Sequence, residues 1–199
     1  MNVLELINFG ASLLKEKKIS THILDSEILL AKILNKPREE ILINYSQKIN
    51  EKSIQEYKKF LQRRSKNEPI AYILGEKEFW SKKFKVSKNT LIPRPETELL
   101  VEKLSNIFKE KKISILDIGT GSGCIIVSLL NNLKHSYGVG IDVSKNATLM
   151  ARKNGKELIL QNRLKFLNKS FEKIFNLKFD LVVSNPPYIV RKDIKNLSE

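Results

Sequence analysis

Three glycines in "LDIGTGSGC" (Gly119, Gly121, Gly123) and a tetrad in "SNPPY" (Asn185, Pro186, Pro187, Tyr188) are the residues whose type and spacing suit chemistry. Without a Cβ, glycine lets the backbone bend sharply and approach a ligand. The spacing is G-x-G-x-G, not the dinucleotide G-x-G-x-x-G, and no Lys-Ser/Thr pair follows as a phosphate-binding P-loop requires. Asp142 closes the next apolar run 23 positions after Gly119, where a carboxylate accepts both hydroxyl protons of a ribose. Together these features point to an adenosine-containing ligand; the alternative is a tight structural turn with a helix-capping aspartate. Asp117, just before the loop, is expected to hold that loop or to meet a cationic group of the ligand.

The tetrad follows "FDLVVS", a buried-strand pattern, and its prolines end the strand because they donate no backbone hydrogen bond. Asn185 brings a carboxamide with an acceptor and donors, and Tyr188 a flat face with a polar tip. A dinucleotide dehydrogenase has no use for such a group, whereas a methyl donor facing a planar amide or amine does. Should the acceptor be an amide rather than an amine, its nitrogen is a poor nucleophile because its lone pair is delocalised into the carbonyl. Acceptors aimed at both of its N–H groups would orient it and relieve that delocalisation. The Asn185 side-chain oxygen and the Pro186 carbonyl are expected to be those acceptors, with Tyr188 stacked on the amide to exclude water.

These residues need a scaffold, and the chain supplies one from Ile113 onward. Runs of strand type alternate with helical ones: "ISILDIG", "CIIVSLLNNL", "YGVGIDV", "SKNATLMARKNGKEL", "LKFLN", "FEKIF", "FDLVVS". That alternation predicts an α/β fold with a parallel sheet and right-handed crossovers. In such a sheet the strand carboxyl ends line the ligand crevice, and the first and fourth strands of the series are expected to be neighbours. Asn185 would then stand beside the glycine loop.

Upstream, residues 1–75 read as a small helical bundle, with apolar residues at helical spacing in Val3, Leu6, Ile7 and Leu14 and again in Ile54, Tyr57 and Leu61. Arg63 and Arg64 read as solvated helix ends. Residues 76–93 form a connector in which Phe79, Trp80 and Phe84 suit the core of a two-stranded hairpin. Pro95 opens a helix over which Leu99, Leu100, Leu104 and Ile107 are expected to share a face, with Arg94, Glu96 and Glu98 as helix-start charges. Residues 94–199 make the ligand-binding domain.

Composition limits the rest. Lys and Arg number 36 against 22 acids, a net charge of +14 that favours polyanions, yet the lysines are scattered and form no single stripe. One cysteine, Cys124, and two isolated histidines give neither an internal disulfide nor a metal cluster, so no metal is expected. No apolar run is long enough to span a membrane, and a cytoplasmic protein is the default.

The stretches "EPIAYILGEKEFW", "LIPRPETELLVE", "ILDIGTGSGCI", "GIDVS" and "SNPPY", over residues 63–188, resemble the HemK/PrmC-type protein-glutamine methyltransferases that modify peptide chain release factors. The glycine loop and the tetrad occur in many methyltransferases; "LIPRPETE" is far more specific. The resemblance implies a Rossmann-like S-adenosylmethionine-dependent methyltransferase sheet. It implies the donor bound by Gly119, Thr120, Gly121, Ser122 and Gly123, with Asp142 on its ribose, Phe171 near the adenine and Asn185 at the methyl end. It further implies that Asn185, Pro186, Pro187 and Tyr188 receive the glutamine of a Gly-Gly-Gln loop in class I release factors. The family usually has an acid before the aromatic at the third strand's end; here Ser170 precedes Phe171 and is expected to accept from the adenine amino group. The family's sheet has more strands than the four readable here, so the domain is expected to be C-terminally incomplete, and an inactive fragment is one alternative. Others are a ribosomal-protein glutamine as acceptor, or the exocyclic amine of adenine in DNA, which the N-terminal helices, lacking a DNA-reading motif, do not favour.

Overall fold

The computed structural model describes residues 1–158, 162–174 and 177–186. Their contacts divide the chain into two compact units, Met1–Gly75 and Glu76–Glu199.

The first unit contains helices α1 (Val3–Glu16), α2 (His22–Leu34), α3 (Arg38–Ile43), α4 (Glu51–Arg64) and α5 (Ile70–Leu74). Helix α1 starts at a capping box in which the Asn2 side chain accepts from Glu5 N and the Glu5 carboxylate accepts from Asn2 N. Its apolar stripe packs with Leu29 and Leu30 of α2 and with Ile54, Tyr57 and Leu61 of α4. Inside this core the Ser26 hydroxyl donates to Ile7 O at 2.7 Å and lies 2.6 Å from Tyr57 Oη. Burial pushes the Tyr57 phenol up to about 12. Gly10 leaves room for this pair: a Cβ there would stand 2.1 Å from Tyr57 Oη and 2.6 Å from Ser26 Oγ. Gly10→Ala is therefore expected to destabilise the protein by about 1–3 kcal/mol through overpacking, read as a lower urea midpoint.

Arg64 departs from the expectation of a solvated helix end, whereas the Arg63 side chain stays exposed in an ion pair with Glu68. Arg64 Nε donates to Asp25 Oδ2 at 2.7 Å and Arg64 Nη1 to Glu68 O at 3.1 Å, while Arg63 Nε donates to Glu68 Oε2 at 2.8 Å. Asp25 is buried, and an uncompensated carboxylate there would be costly, so the guanidinium is drawn in to meet it.

The second unit begins with an antiparallel hairpin, β1 (Glu76–Phe79) and β2 (Lys82–Lys85), whose two-residue turn is Trp80–Ser81. Both turn residues have positive φ, 51° and 54°, the twist that two-residue hairpin turns need although neither is glycine. Glu98 helps to hold it, its Oε1 accepting from Trp80 N at 3.0 Å. Phe79 and Phe84 are buried edge-to-face in the core of this unit.

The sheet that follows consists of β3 (Ser114–Ile118), β4 (Tyr137–Asp142), β5 (Leu164–Asn168) and β6 (Leu181–Ser184), all parallel, in the order β5-β4-β3-β6. The connections include α7 (Cys124–Asn132) and α8 (Lys145–Glu157); α6 (Glu96–Ile107) precedes the sheet. Ile115, Phe166 and Val183 share a core with α7 and with Val101 and Ala151. On α6 the buried position is Val101, with Leu104 and Phe108 packed partly against the core, whereas Leu99 and Ile107 are exposed. The stripe expected from Leu99 and Ile107 is thus turned from the core, because the i, i+3, i+7 row through Val101 is the one that meets α7. "FEKIF" yields one 3₁₀ turn, Phe171–Lys173. Among the described residues no helix is long and apolar enough to cross a membrane.

Candidate functional site

Strand register decides what meets at the carboxyl edge of the sheet. Ile118 of β3 pairs with Ile141 of β4 on one side and with Ser184 of β6 on the other. The next residues of the three strands, Gly119, Asp142 and Asn185, therefore emerge side by side. Asp142 in turn pairs with Asn168, whose Nδ2 donates to Asp142 O and Val143 O at 2.9 Å each. β6 is pinned at both ends. Asp180 Oδ2 accepts from Ser114 N at 2.8 Å and Ser114 Oγ at 2.7 Å, and Ser184 Oγ donates to Ile118 O at 2.9 Å. The Ser114 hydrogen bonds hold the Asp180 carboxyl below its usual range.

The loop after β3 is a left-handed turn with φ of 68°, 55° and 80° at Gly119, Gly121 and Gly123. A Cβ built on Gly119 meets nothing within 4 Å and one on Gly121 only a loop carbonyl at 3.9 Å, so the loop borders an open cradle that side chains would fill. Thr120 and Ser122 point the other way: both side chains are buried, and Thr120 Oγ1 donates to Asp117 Oδ2 at 2.7 Å. A ligand in the cradle meets the loop's backbone, not these hydroxyls.

Asp142 braces the loop as well as lining the edge. Its Oδ2 accepts from Gly121 N at 2.9 Å and its Oδ1 from Ser144 N at 2.8 Å, and each oxygen keeps a lone pair for a further donor. Asp117 is 1 % exposed, and its Oδ1 has no hydrogen-bond partner. Burial, with Asp142 adding a smaller push, raises its carboxyl to about 7 despite the Thr120 hydrogen bond.

Phe171 is 57 % exposed beyond the end of β5, a flat apolar face available to a ring. The Ser170 hydroxyl donates to the Glu172 carboxylate and keeps its own lone pairs. Asn185 is half-buried, and its Nδ2 donates to Thr97 Oγ1 at 3.2 Å; Pro186 is exposed. Pro187 and Tyr188 lie outside the described residues. Cys124, Asp117 and the other His, Cys, Asp and Glu side chains form no group of three or more able to hold a metal ion among the described residues.

Two contributors carried no sequence signal. Asn154 sits mid-helix in α8, 1 % exposed, and its Nδ2 donates to Ser122 O at 2.8 Å and to Lys85 O at 3.0 Å while its Oδ1 accepts from Lys85 N at 2.8 Å. It ties the glycine loop to the hairpin, and a polar residue on a helix gives no hint of such partners. Thr97 was legible only as part of a helix start.

Comparison with known proteins agrees with this architecture. The family model of the PrmC N-terminal domain matches residues 5–75, and that of the methyltransferase small domain matches residues 94–198. A release factor glutamine methyltransferase of Buchnera aphidicola subsp. Schizaphis graminum is 45% identical over 88% of this chain and 63% of its own length. Another from Buchnera aphidicola subsp. Baizongia pistaciae is 42% identical over 95% of this chain and 68% of its own length. A bifunctional methyltransferase of Rickettsia felis is 36% identical over 94% of this chain and 41% of its own length. The chain thus spans less than two thirds of the first and third of these relatives. With a helical PrmC N-terminal domain followed by a methyltransferase small domain, and this degree of identity, the chain belongs to the release factor glutamine methyltransferase family.

Proposed function

We propose that the protein transfers a methyl group from S-adenosylmethionine to the side-chain amide nitrogen of the glutamine in the Gly-Gly-Gln motif of class I peptide chain release factors. The observation that carries this reading is the register of β3 and β6, which brings Asn185 out beside Gly119. The open cradle at Gly119 and Gly121 suits the donor, as do the neighbouring Asp142 carboxylate and the exposed face of Phe171.

In this reading Gly119 to Gly123 offer backbone to the donor, Asp142 takes the ribose hydroxyls, and Phe171 packs on the adenine with Ser170 accepting from its amino group. When bound, the donor supplies a methyl group activated by positive sulfur. Asn185 Oδ1 and the Pro186 carbonyl accept the two N–H groups of the glutamine amide, hold it in the crevice and leave its lone pair free for in-line displacement. Proline keeps that carbonyl from drifting. Pro187 and Tyr188 enter on the strength of the family resemblance, Tyr188 as the flat lid that excludes water. The amide proton becomes acidic only as the nitrogen–methyl bond forms and the methyl–sulfur bond breaks, so no strong base need act before transfer; the neutral thioether is the leaving group and the proton is released to solvent. The helical unit, residues 1–75, is assigned to recognition of the release factor, and the protein acts in the cytoplasm.

The test is transfer of labelled methyl onto purified release factors. Label is expected on a factor with Gly-Gly-Gln intact and absent from one carrying Gly-Gly-Ala. Label that ignores the change, or that appears on DNA or on a ribosomal protein instead, overturns the proposal.

A further inference from the structure

The stretch "LIPRPETE" has no part in the chemistry set out above, yet it runs directly into the helix start that touches the tetrad. Pro95 caps α6, and Thr97 lies in its first turn with its backbone N donating to Arg94 O at 3.0 Å. The Thr97 hydroxyl accepts from Asn185 Nδ2 at 3.2 Å across 88 residues of sequence. One residue on, Glu98 Oε1 accepts from the hairpin-turn amide of Trp80 at 3.0 Å, so this helix start is braced against the hairpin on one side while it meets Asn185 on the other.

A carboxamide has a donor end and an acceptor end of nearly equal size, and rotation about its last torsion is broad and roughly two-fold. Only the acceptor end suits Asn185 in the proposed transfer, because an NH₂ turned toward the glutamine amide would set donor against donor. Among the described residues Asn185 Oδ1 accepts nothing, and Nδ2 is held by Thr97. In the orientation observed, the hydroxyl engages the NH₂ end of the carboxamide, which has no use in the reaction, and Oδ1 is left free.

We propose that Thr97 is a positioning residue for Asn185, holding the carboxamide with Oδ1 turned to the acceptor amide. This inference rests on the transfer reading for its consequence, but its structural content, a hydroxyl that fixes Asn185, can be measured without turnover. It gives "LIPRPETE" a function: the helix start carries the hydroxyl, and the Glu98–Trp80 bond keeps it in place.

The experiment compares the unsubstituted protein with Thr97→Val, which keeps the shape and removes the hydroxyl, with Thr97→Ser, which restores it, and with Asn185→Ala. Exchange of the Asn185 side-chain amide protons is followed by NMR, together with kcat, KM for the release factor and Kd for the donor. Thr97→Val is expected to speed amide exchange and to lower kcat about tenfold, the worth of one hydrogen bond, with donor Kd within about twofold. Thr97→Ser is expected to behave as wild type in both. Unchanged amide exchange and kcat in Thr97→Val overturns the proposal. So does equal impairment of the valine and serine variants, or a loss confined to donor Kd. If the wild-type protein does not methylate release factors while amide exchange still responds to Thr97→Val and recovers in Thr97→Ser, the functional reading fails and the positioning stands. If Asn185→Ala abolishes transfer while Thr97→Val retains it fully, the positioning fails and the functional reading stands.

Discussion

Asn185→Ala is expected to lower turnover roughly 10²–10³-fold, the cost of losing one preorganised acceptor at a reacting centre, while donor Kd changes by less than about twofold. The asymmetry follows from where the residue stands. Asn185 leaves β6 one position beyond the Ser184–Ile118 pair, at the rim of the crevice, whereas the cradle is formed by Gly119 to Gly123 with Asp142. Removing the carboxamide strips an acceptor from the glutamine amide and leaves the glycine loop, its Asp142 brace and its tie through Asn154 intact. Single-turnover transfer and calorimetric titration of the donor separate the two quantities. Equal losses in both would mean that Asn185 supports the donor site and not the acceptor.

Asp117→Asn carries the second large effect, and its signature is a dependence on pH. Burial raises the Asp117 carboxyl from the ordinary 3.8 to about 7 in the folded protein. Between those values the unfolded chain has released the proton and the folded chain retains it. The folded state then binds more protons, so stability falls as pH rises across that window and levels off above about 7. At 1.36 kcal/mol per unit, the loss approaches about 4 kcal/mol. An asparagine does not titrate. Its amide also replaces the unpartnered Oδ1 with a buried NH₂, a cost independent of pH, so the decisive quantity is a difference. Relative to wild type, Asp117→Asn should gain about 2–4 kcal/mol between pH 4.5 and pH 8, measured from urea unfolding with no donor present. A gap that stays constant over that range would show that Asp117 is ionised throughout.

Much of the scaffold was legible because it is written in local patterns. "ISILDIG", "YGVGIDV", "LKFLN" and "FDLVVS" are apolar runs of strand length separated by helical ones, and they became β3, β4, β5 and β6 in the expected parallel sheet. The glycine loop was legible because left-handed backbone at Gly119, Gly121 and Gly123 demands that residue type. Elsewhere packing overruled pattern. On α6 several apolar rows compete, and nothing within the helix says that α7 covers the one through Val101. Arg64 carries the composition of a solvated helix end, yet the buried Asp25, 39 residues away, draws it inward.

Residue types and their order along the chain determined the α/β alternation, the loop that must bend, the carboxylate at the end of the second strand and the amide-bearing tetrad at the end of the fourth. Those are properties of neighbours in sequence, and local sterics and periodicity suffice to read them. Only the tertiary structure decided that Thr97 holds Asn185, that Asn154 joins the glycine loop to the hairpin, and that Asp117 is sealed from water. Each of these depends on the register of parallel strands and on which helix face is covered. Distant parts of the chain set that register and that cover together, and no single stretch contains the information.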